Sequence, residues 1–315
     1  LVCHEISKRE LQMKLVSYGQ MGLERGGVLV GEKIYDLEHL LHQHGSTPAV
    51  SDNRAFLEIP NWRTLLDQLV PLTKVATGID IKSVRLGSPI PLPRKLMIAG
   101  ANTYSHLAEA KPLLGKIEPS KQPMVLAKGT NAICGPFDDL IMPKQTKKLD
   151  YEVELGVVIG KVTDHISESD VKHHLAGFMT TNDVSARDVQ LAEYESNSFF
   201  RVHYLGKSFN TFAPMGPAMV TVDEFEWGKP FGLVTKVNGE IRQNSDTNDL
   251  IYGVEALVSY ISHHMTLYPG DVIQTGSPAG VAFFMNPQKF LQPGEIVTCE
   301  IEGLGSISNR VVGEK

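Results

Sequence analysis

Along residues 12–36, short apolar runs alternate with glycine-containing breaks, a pattern that predicts a small meander of strands. The segment NWRTLLDQLV, residues 61–70, instead places Trp62, Leu65, Leu66 and Leu69 at helical spacing and predicts a short amphipathic helix. SPIPLPRK at 88–95 follows. Its prolines exclude regular structure, so a domain boundary is expected there, with a small α/β appendage over 1–87 and a larger unit over 88–315. From residue 96 onward strand signals dominate, through KLMIAGA, YEVELGVVIG and FGLVTKVNGEIRQ to EIVTCEIEGLGSISNRVV, and Asn238–Gly239 between two runs signals a hairpin. One helix interrupts them, TNDLIYGVEALVSYISHHMTL, with Asn248 as its cap and a stripe of Ile251, Val254, Leu257, Val258 and Ile261. This succession predicts an α+β, mainly β protein centred on a mixed β-sandwich or roll, not a doubly wound sheet.

One strand departs from the apolar rule. In LDYEVELGVVIG, residues 149–160, period-two alternation sends Asp150, Glu152 and Glu154 to one face and Tyr151, Val153, Leu155 and Val157 to the other. Crowded carboxylates repel, and on a buried face each needs a proton, a cationic partner or a metal ion. Two readings stay open at this point: an edge strand with a solvated acidic face, or a buried, neutralised cluster. Downstream, TTNDVSARDVQ at 180–190 adds Asp183, Arg187, Asp188 and Gln190. Three carboxylates from these two segments suit a hard cation, Mg²⁺ first and Mn²⁺ or Ca²⁺ after it. They leave positions for a chelating oxygen substrate and a water.

Composition narrows the partners. The chain is 42% hydrophobic and 21% charged, as in ordinary globular proteins, and its net charge of −6 comes without the basic cluster that nucleic-acid binding needs. No apolar run is long enough to span a bilayer, and the charged N-terminal stretch does not read as a signal peptide, so neither membrane nor export is expected and the cytoplasm is the expected location. Cys3, Cys134 and Cys299 have neither disulfide-framework nor metal-clip spacing and read as reduced, structural residues. The chain has no GxSxG, GxxxxGK[ST], HExxH or strand-following GxGxxG motif, which removes the commonest serine-hydrolase, nucleotide and zinc-protease chemistries.

Six pieces in order carry a more specific signal: GANTYSHLAE (100–109), LAKG (126–129), DYEVELGVVIG, NDVSARDVQ, GKSFNTFAPMGP (206–217) and LYPGDVIQTGSPAG (267–280). Over about residues 90–312 the chain resembles the fumarylacetoacetate hydrolase family, in its acylpyruvase and diketo-acid hydrolase branch. The resemblance implies metal ligands at Glu152, Glu154 and Asp183, the set that alternation also reaches, with Asp150 a neighbour. It implies an H-x-x-E dyad of His106 and Glu109, whose spacing on one helical turn lets the carboxylate meet the imidazole so that His106 can take a proton. Lys207 falls near the metal as a third catalytic residue, a cation placed to offset the acids and bind a substrate oxygen, with Arg187 and Gln190 on substrate-contacting positions, Lys128 in support of the pocket, and Thr275 before a Gly-Ser-Pro turn whose N–H groups suit a carboxylate. Each has a plainer alternative: a surface histidine, a solvated lysine, or an Arg187 ion pair with a local acid.

Departures from the family pattern fall at Thr103–Tyr104, at Lys128-Gly129-Thr130 and at Gly276-Ser277-Pro278, where the pocket wall is expected, so they bear on substrate identity. The aromatic segment 193–206, with Phe199, Phe200 and Tyr204, is a further candidate for that wall. His173–His174, His263–His264 and the histidines of 42–44 read as surface residues. The implied activity is Mg²⁺-dependent hydrolysis of a C–C bond in a small 2,4-dioxo acid, an acylpyruvate or a diketo-deoxy sugar acid, giving pyruvate and a second acid, by a homodimer. The alternatives share the metal set: decarboxylation of an oxaloacetate-like acid, or isomerisation or dehydration of a 2-keto acid. A catalytically silent keto-acid binder would not need the dyad.

Overall fold

The computed structural model describes residues 13–46, 50–114, 118–191 and 203–315; Cys3, Phe199 and Phe200 lie outside the described residues. A twelve-stranded, largely antiparallel sheet is joined by a five-stranded sheet, giving the expected α+β, mainly β architecture. In the middle of the large sheet, Val153–Ile159 runs between Leu175–Asn182 and Val272–Gln274, and all seven of its residues are buried. The acidic strand is therefore central, and the solvated-edge reading falls. Its neighbour Leu175–Asn182 gives no alternation signal because both of its faces are covered, which is why the pattern of the sequence does not reveal it.

The sheet extends one way through Val272–Gln274, which pairs in parallel with Leu96–Gly100, and ends at Met124–Ala127. The other way it passes through Ala213–Thr221 to the N-terminal meander, whose strand Lys14–Tyr18 joins it at Leu15↔Met219. The five-stranded sheet packs across the central strands, where the Thr180 hydroxyl donates to the Gly305 carbonyl at 2.9 Å. Its Asn238–Gly239 turn has φ of 50° and 85°, the double positive of a type I′ hairpin.

The helix Trp62–Leu69 forms as expected and buries Trp62, Leu66 and Leu69. The later helix begins five residues beyond its expected cap: it spans Val254–Ser262, with Gly253 and not Asn248 at the N-cap. The cause is tertiary. The Ile251 and Tyr252 N–H groups donate to the carbonyl and side chain of Asn102, at 2.8 and 3.0 Å, and hold that stretch out of the helix. Cys134 and Cys299 are buried free thiols, and burial pushes Cys299 up to about 12. Among the described residues no helix is long and apolar enough to cross a membrane.

Candidate active site

At the start of the central strand, Glu152 and Glu154 meet Asp183 from the end of its neighbour; all three are buried, with ligand oxygens within 4.8 Å of one another. The Asp183 N–H donates to the Glu152 carbonyl at 2.8 Å and the Glu152 N–H to Asn182 Oδ1 at 2.9 Å, which locks the two segments together. Glu152 accepts from Arg187 Nη2 at 2.8 Å and Lys207 Nζ at 2.6 Å. Burial alone would raise its carboxyl, but Arg187 and Lys207 outweigh burial and hold it well below the usual range. Asp183 accepts from Lys128 Nζ at 2.5 Å and also from Lys207. Arg187 in turn binds Asp150 at 2.8 Å, whose carboxylate also accepts from the Ala282 and Phe283 N–H groups.

Glu154 has no such company. Its carboxylate accepts from the Gly276 N–H at 2.7 Å, and burial, followed by the charges of Asp183 and Glu152, pushes it well above the usual range. Four buried carboxylates thus face three buried cations, Lys128, Arg187 and Lys207. With every group ionised one negative charge would be left over, and Glu154, the carboxyl with no cationic side-chain partner, is the one driven towards its neutral form. An all-oxygen triad with a surplus charge fits a hard divalent cation, and Glu152, Glu154 and Asp183 are the residues that would hold it.

The dyad forms as well. His106 and Glu109 lie on the helix Tyr104–Leu114, and His106 Nδ1 meets Glu109 Oε1 at 2.7 Å. Thr103 precedes that helix; its hydroxyl accepts from the His106 N–H at 3.3 Å and donates to the Ser277 carbonyl at 2.7 Å. The departure from the family pattern at this position therefore provides a helix cap. Glu109 Oε2 accepts from the Gly280 N–H at 2.7 Å. Gly276 and Gly280 have φ of 107° and 108°, and a Cβ on Gly280 would lie 2.0 Å from the Arg242 carbonyl. Only glycine lets this turn deliver one N–H to Glu154 and another to Glu109.

A cavity of about 360 Å³ brings together His106, Glu152, Glu154, Asp183, Arg187, Gln190 and Lys207, with Ile98, Leu107, Met124, Leu126 and Phe284 among its apolar walls. Three of the expected residues are not in its lining. Glu109 stands behind His106, and Lys128 stands behind Asp183 with its ammonium also on the Val184 and Phe212 carbonyls. Thr275 is 1% exposed and its hydroxyl has no partner. The Gly-Ser-Pro turn holds a carboxylate as expected, but it is that of Glu154. Tyr204 is half exposed and does not line the cavity. Among the described residues no histidine group gathers as a metal cluster. Ser185, Phe283 and Phe284 carry no signal in the sequence; Ser185 donates to Glu152 at 3.3 Å, and the Phe284 ring packs edge-on to His106 at 5.5 Å.

A model of the fumarylacetoacetate hydrolase C-terminal domain matches residues 95–312. The chain belongs to this family. It is 41% identical over 225 residues to a bovine protein named oxaloacetate tautomerase FAHD2A, mitochondrial, a match that covers 71% of this chain and 68% of that one. It is 38% identical over 315 residues to a Dictyostelium discoideum protein, fumarylacetoacetate hydrolase domain-containing protein 2 homolog, across 95% and 97% of the two chains. A fumarylacetoacetate hydrolase structure from Exiguobacterium antarcticum superposes with a TM-score of 0.73 at 30% identity, over 96% of this chain and 100% of that one. The bovine, rat and human family members at 40–41% identity are named mitochondrial proteins, which overturns the cytoplasmic expectation. That expectation rested on apolar run length and N-terminal charge, neither of which reports the compartment of such a protein.

Proposed function

We propose that this chain is a divalent-metal-dependent enzyme for small 2-oxo acids, and that its reaction is keto–enol isomerisation of an oxaloacetate-like dicarboxylate. The observation that carries the reading is the His106–Glu109 pair facing the Glu152–Glu154–Asp183 cluster across one cavity, in a chain 41% identical to a protein named oxaloacetate tautomerase. Mg²⁺ is the ion proposed, with Mn²⁺ or Ca²⁺ as substitutes; when bound it would polarise the 2-oxo group. With Nδ1 committed to Glu109, the His106 ring works through Nε2, moving one proton between C3 and the 2-oxygen of the keto acid: the C3–H bond breaks as the enol O–H bond forms, and the same steps in reverse regenerate the ketone. Glu109 fixes that tautomer and stabilises the charged ring. Lys207 has three acceptors for its three ammonium protons, on Glu152, Asp183 and Ser185, so its part in this arrangement is to neutralise the cluster. Arg187 holds Glu152 while its Nη1 reaches Gln190 Oε1 at 3.0 Å, and the two present a polar wall to the substrate.

Hydrolysis of an acylpyruvate, with His106 activating water, is the second reading, favoured by the 30% likeness to the Exiguobacterium hydrolase. Oxaloacetate supplied as its enol separates the two. Metal-dependent loss of enol absorbance without release of pyruvate supports isomerisation. Cleavage of acylpyruvates into two acids, with oxaloacetate untouched, would overturn it. A homodimer belongs to the same proposal; Met21, Leu23 and Leu92 place exposed apolar surface around one cleft, and a monomeric mass by light scattering at micromolar concentration refutes it.

A further inference from the structure

The central strand and its neighbour Val272–Gln274 pair from Val158↔Val272 to Gly156↔Gln274, and the Thr275 N–H still reaches the Leu155 carbonyl at 3.1 Å. Beyond that the partner turns away at Gly276, and the Val153 N–H, between the two ligand glutamates, has lost its ladder acceptor. A buried N–H cannot stay unpaired cheaply. The gap is filled from the other sheet by Gln243, on the strand Glu240–Asp246 and 1% exposed. Its Oε1 accepts from the Val153 N–H at 3.1 Å and the Thr235 hydroxyl at 2.7 Å, and its Nε2 donates to Ser277 Oγ and the Pro278 carbonyl, both at 2.8 Å. All four hydrogen-bonding positions of the amide are used.

The two sides so joined are the two halves of the site. On one side is the residue between Glu152 and Glu154. On the other is the turn whose Gly276 N–H holds Glu154 and whose Gly280 N–H holds Glu109. We propose that Gln243 is a positioning residue: one side-chain amide that keeps Glu154 and the His106–Glu109 pair in register while touching none of the three. The inference rests on the reading of Glu152, Glu154 and Asp183 as metal ligands and of His106 as the proton carrier.

The test is Mn²⁺ titration of the purified protein by electron paramagnetic resonance without substrate, alongside kcat and KM for the oxaloacetate enol. Gln243→Met removes the whole bridge. Gln243→Glu keeps its shape and the strand-side bonds but loses the donors to the turn. Both are expected to weaken Mn²⁺ binding about 10–100-fold, as loss of supporting hydrogen bonds behind metal ligands does, with kcat falling more than KM rises. Thr235→Val cuts one bond of the same amide away from the site and is expected to change Mn²⁺ affinity by less than about twofold. If Gln243→Met does not fold, Gln243→Glu decides. Wild-type Mn²⁺ affinity and kcat in Gln243→Glu, or equal losses in Thr235→Val, would overturn the proposal. A wild type that binds Mn²⁺ but leaves the enol unchanged defeats the isomerase reading alone, since the affinity comparison still stands. A wild type that binds no Mn²⁺ overturns both.

Discussion

The two sides of the cavity neutralise charge by different means. On the Glu152 side, Asp150, Glu152 and Asp183 are met by Arg187, Lys207 and Lys128, side chain to side chain. On the Glu154 side, Glu154 and Glu109 are held by single backbone N–H groups of one glycine turn, and the remaining partner is an imidazole. The first side is internally balanced and can be assembled by folding alone. The second carries the unbalanced charge and the proton carrier, so it has something left to do for a ligand. Chemistry is therefore expected on the Glu154–His106 side, and support on the other.

The sharpest way to break this contrast is to remove the imidazole. His106→Ala should lower enol isomerisation by about two to four orders of magnitude, the usual contribution of a positioned general base, while Mn²⁺ affinity stays near wild type. Glu109→Gln should lower the rate through the same group, and the double variant should fall far short of the product of the two losses because the pair acts as a unit. Spontaneous, metal-assisted decarboxylation of oxaloacetate should suffer less. A near wild-type isomerisation rate in His106→Ala would return His106 to the surface-histidine reading.

A smaller effect separates the glutamates themselves. Glu152→Gln leaves Arg187 and Lys207 buried and short of a counter-charge, and breaking a buried pair in this way costs about 3–5 kcal/mol. Glu154→Gln removes the surplus charge, so in metal-free protein it should unfold no more easily than wild type. Both variants should lose Mn²⁺ binding. Denaturant unfolding in excess chelator measures the difference, and equal destabilisation by the two would mean that the sides are not distinct.

The same contrast has a pH signature. Glu152 is depressed, so its contribution is present above its ordinary value of 4.5 and is lost as pH falls below that, towards its folded value. Glu154 is raised, so its contribution is present below 4.5 and is lost as pH climbs through its folded value. In chelator, wild type should therefore lose stability relative to Glu154→Gln as pH rises above 4.5 towards the raised folded value of Glu154, and saturating Mn²⁺ should reverse that loss. Parallel stability curves for the two proteins would remove Glu154 as the seat of the surplus charge.

What the sequence made legible was the carboxylate cluster, because the period-two spacing of Asp150, Glu152 and Glu154 stands out as an anomaly among apolar residues, although Asp150 lies on the short strand Leu149–Asp150 and only Glu154 falls within the central strand Val153–Ile159. The hairpin at Asn238–Gly239 and the N-terminal meander were legible for the same local reason. The supports were not. The Gly276 and Gly280 N–H groups carry no side-chain signal, Gln243 comes from the other sheet, and the shift of the helix start from Asn248 to Gly253 depends on Asn102, about 150 positions away. Family likeness located Lys128 and Lys207, but only the geometry shows that both spend their charge on Asp183.

Thr275 gives the smallest expected effect and the cleanest boundary between the site and its frame. It lies one residue before Gly276, yet its N–H donates to the Leu155 carbonyl at 3.1 Å, its carbonyl accepts from Asn102 at 2.8 Å, and its hydroxyl is buried without a partner. Its backbone positions the turn and its side chain serves no visible acceptor. Thr275→Val keeps the shape and removes an unpaired hydroxyl, so stability should be unchanged or higher, by up to about 1 kcal/mol, with KM and kcat within about twofold of wild type. A rise in KM of about tenfold at constant kcat would mean that the hydroxyl binds substrate directly. The boundary between chemistry and frame would then lie one residue earlier than the free protein places it.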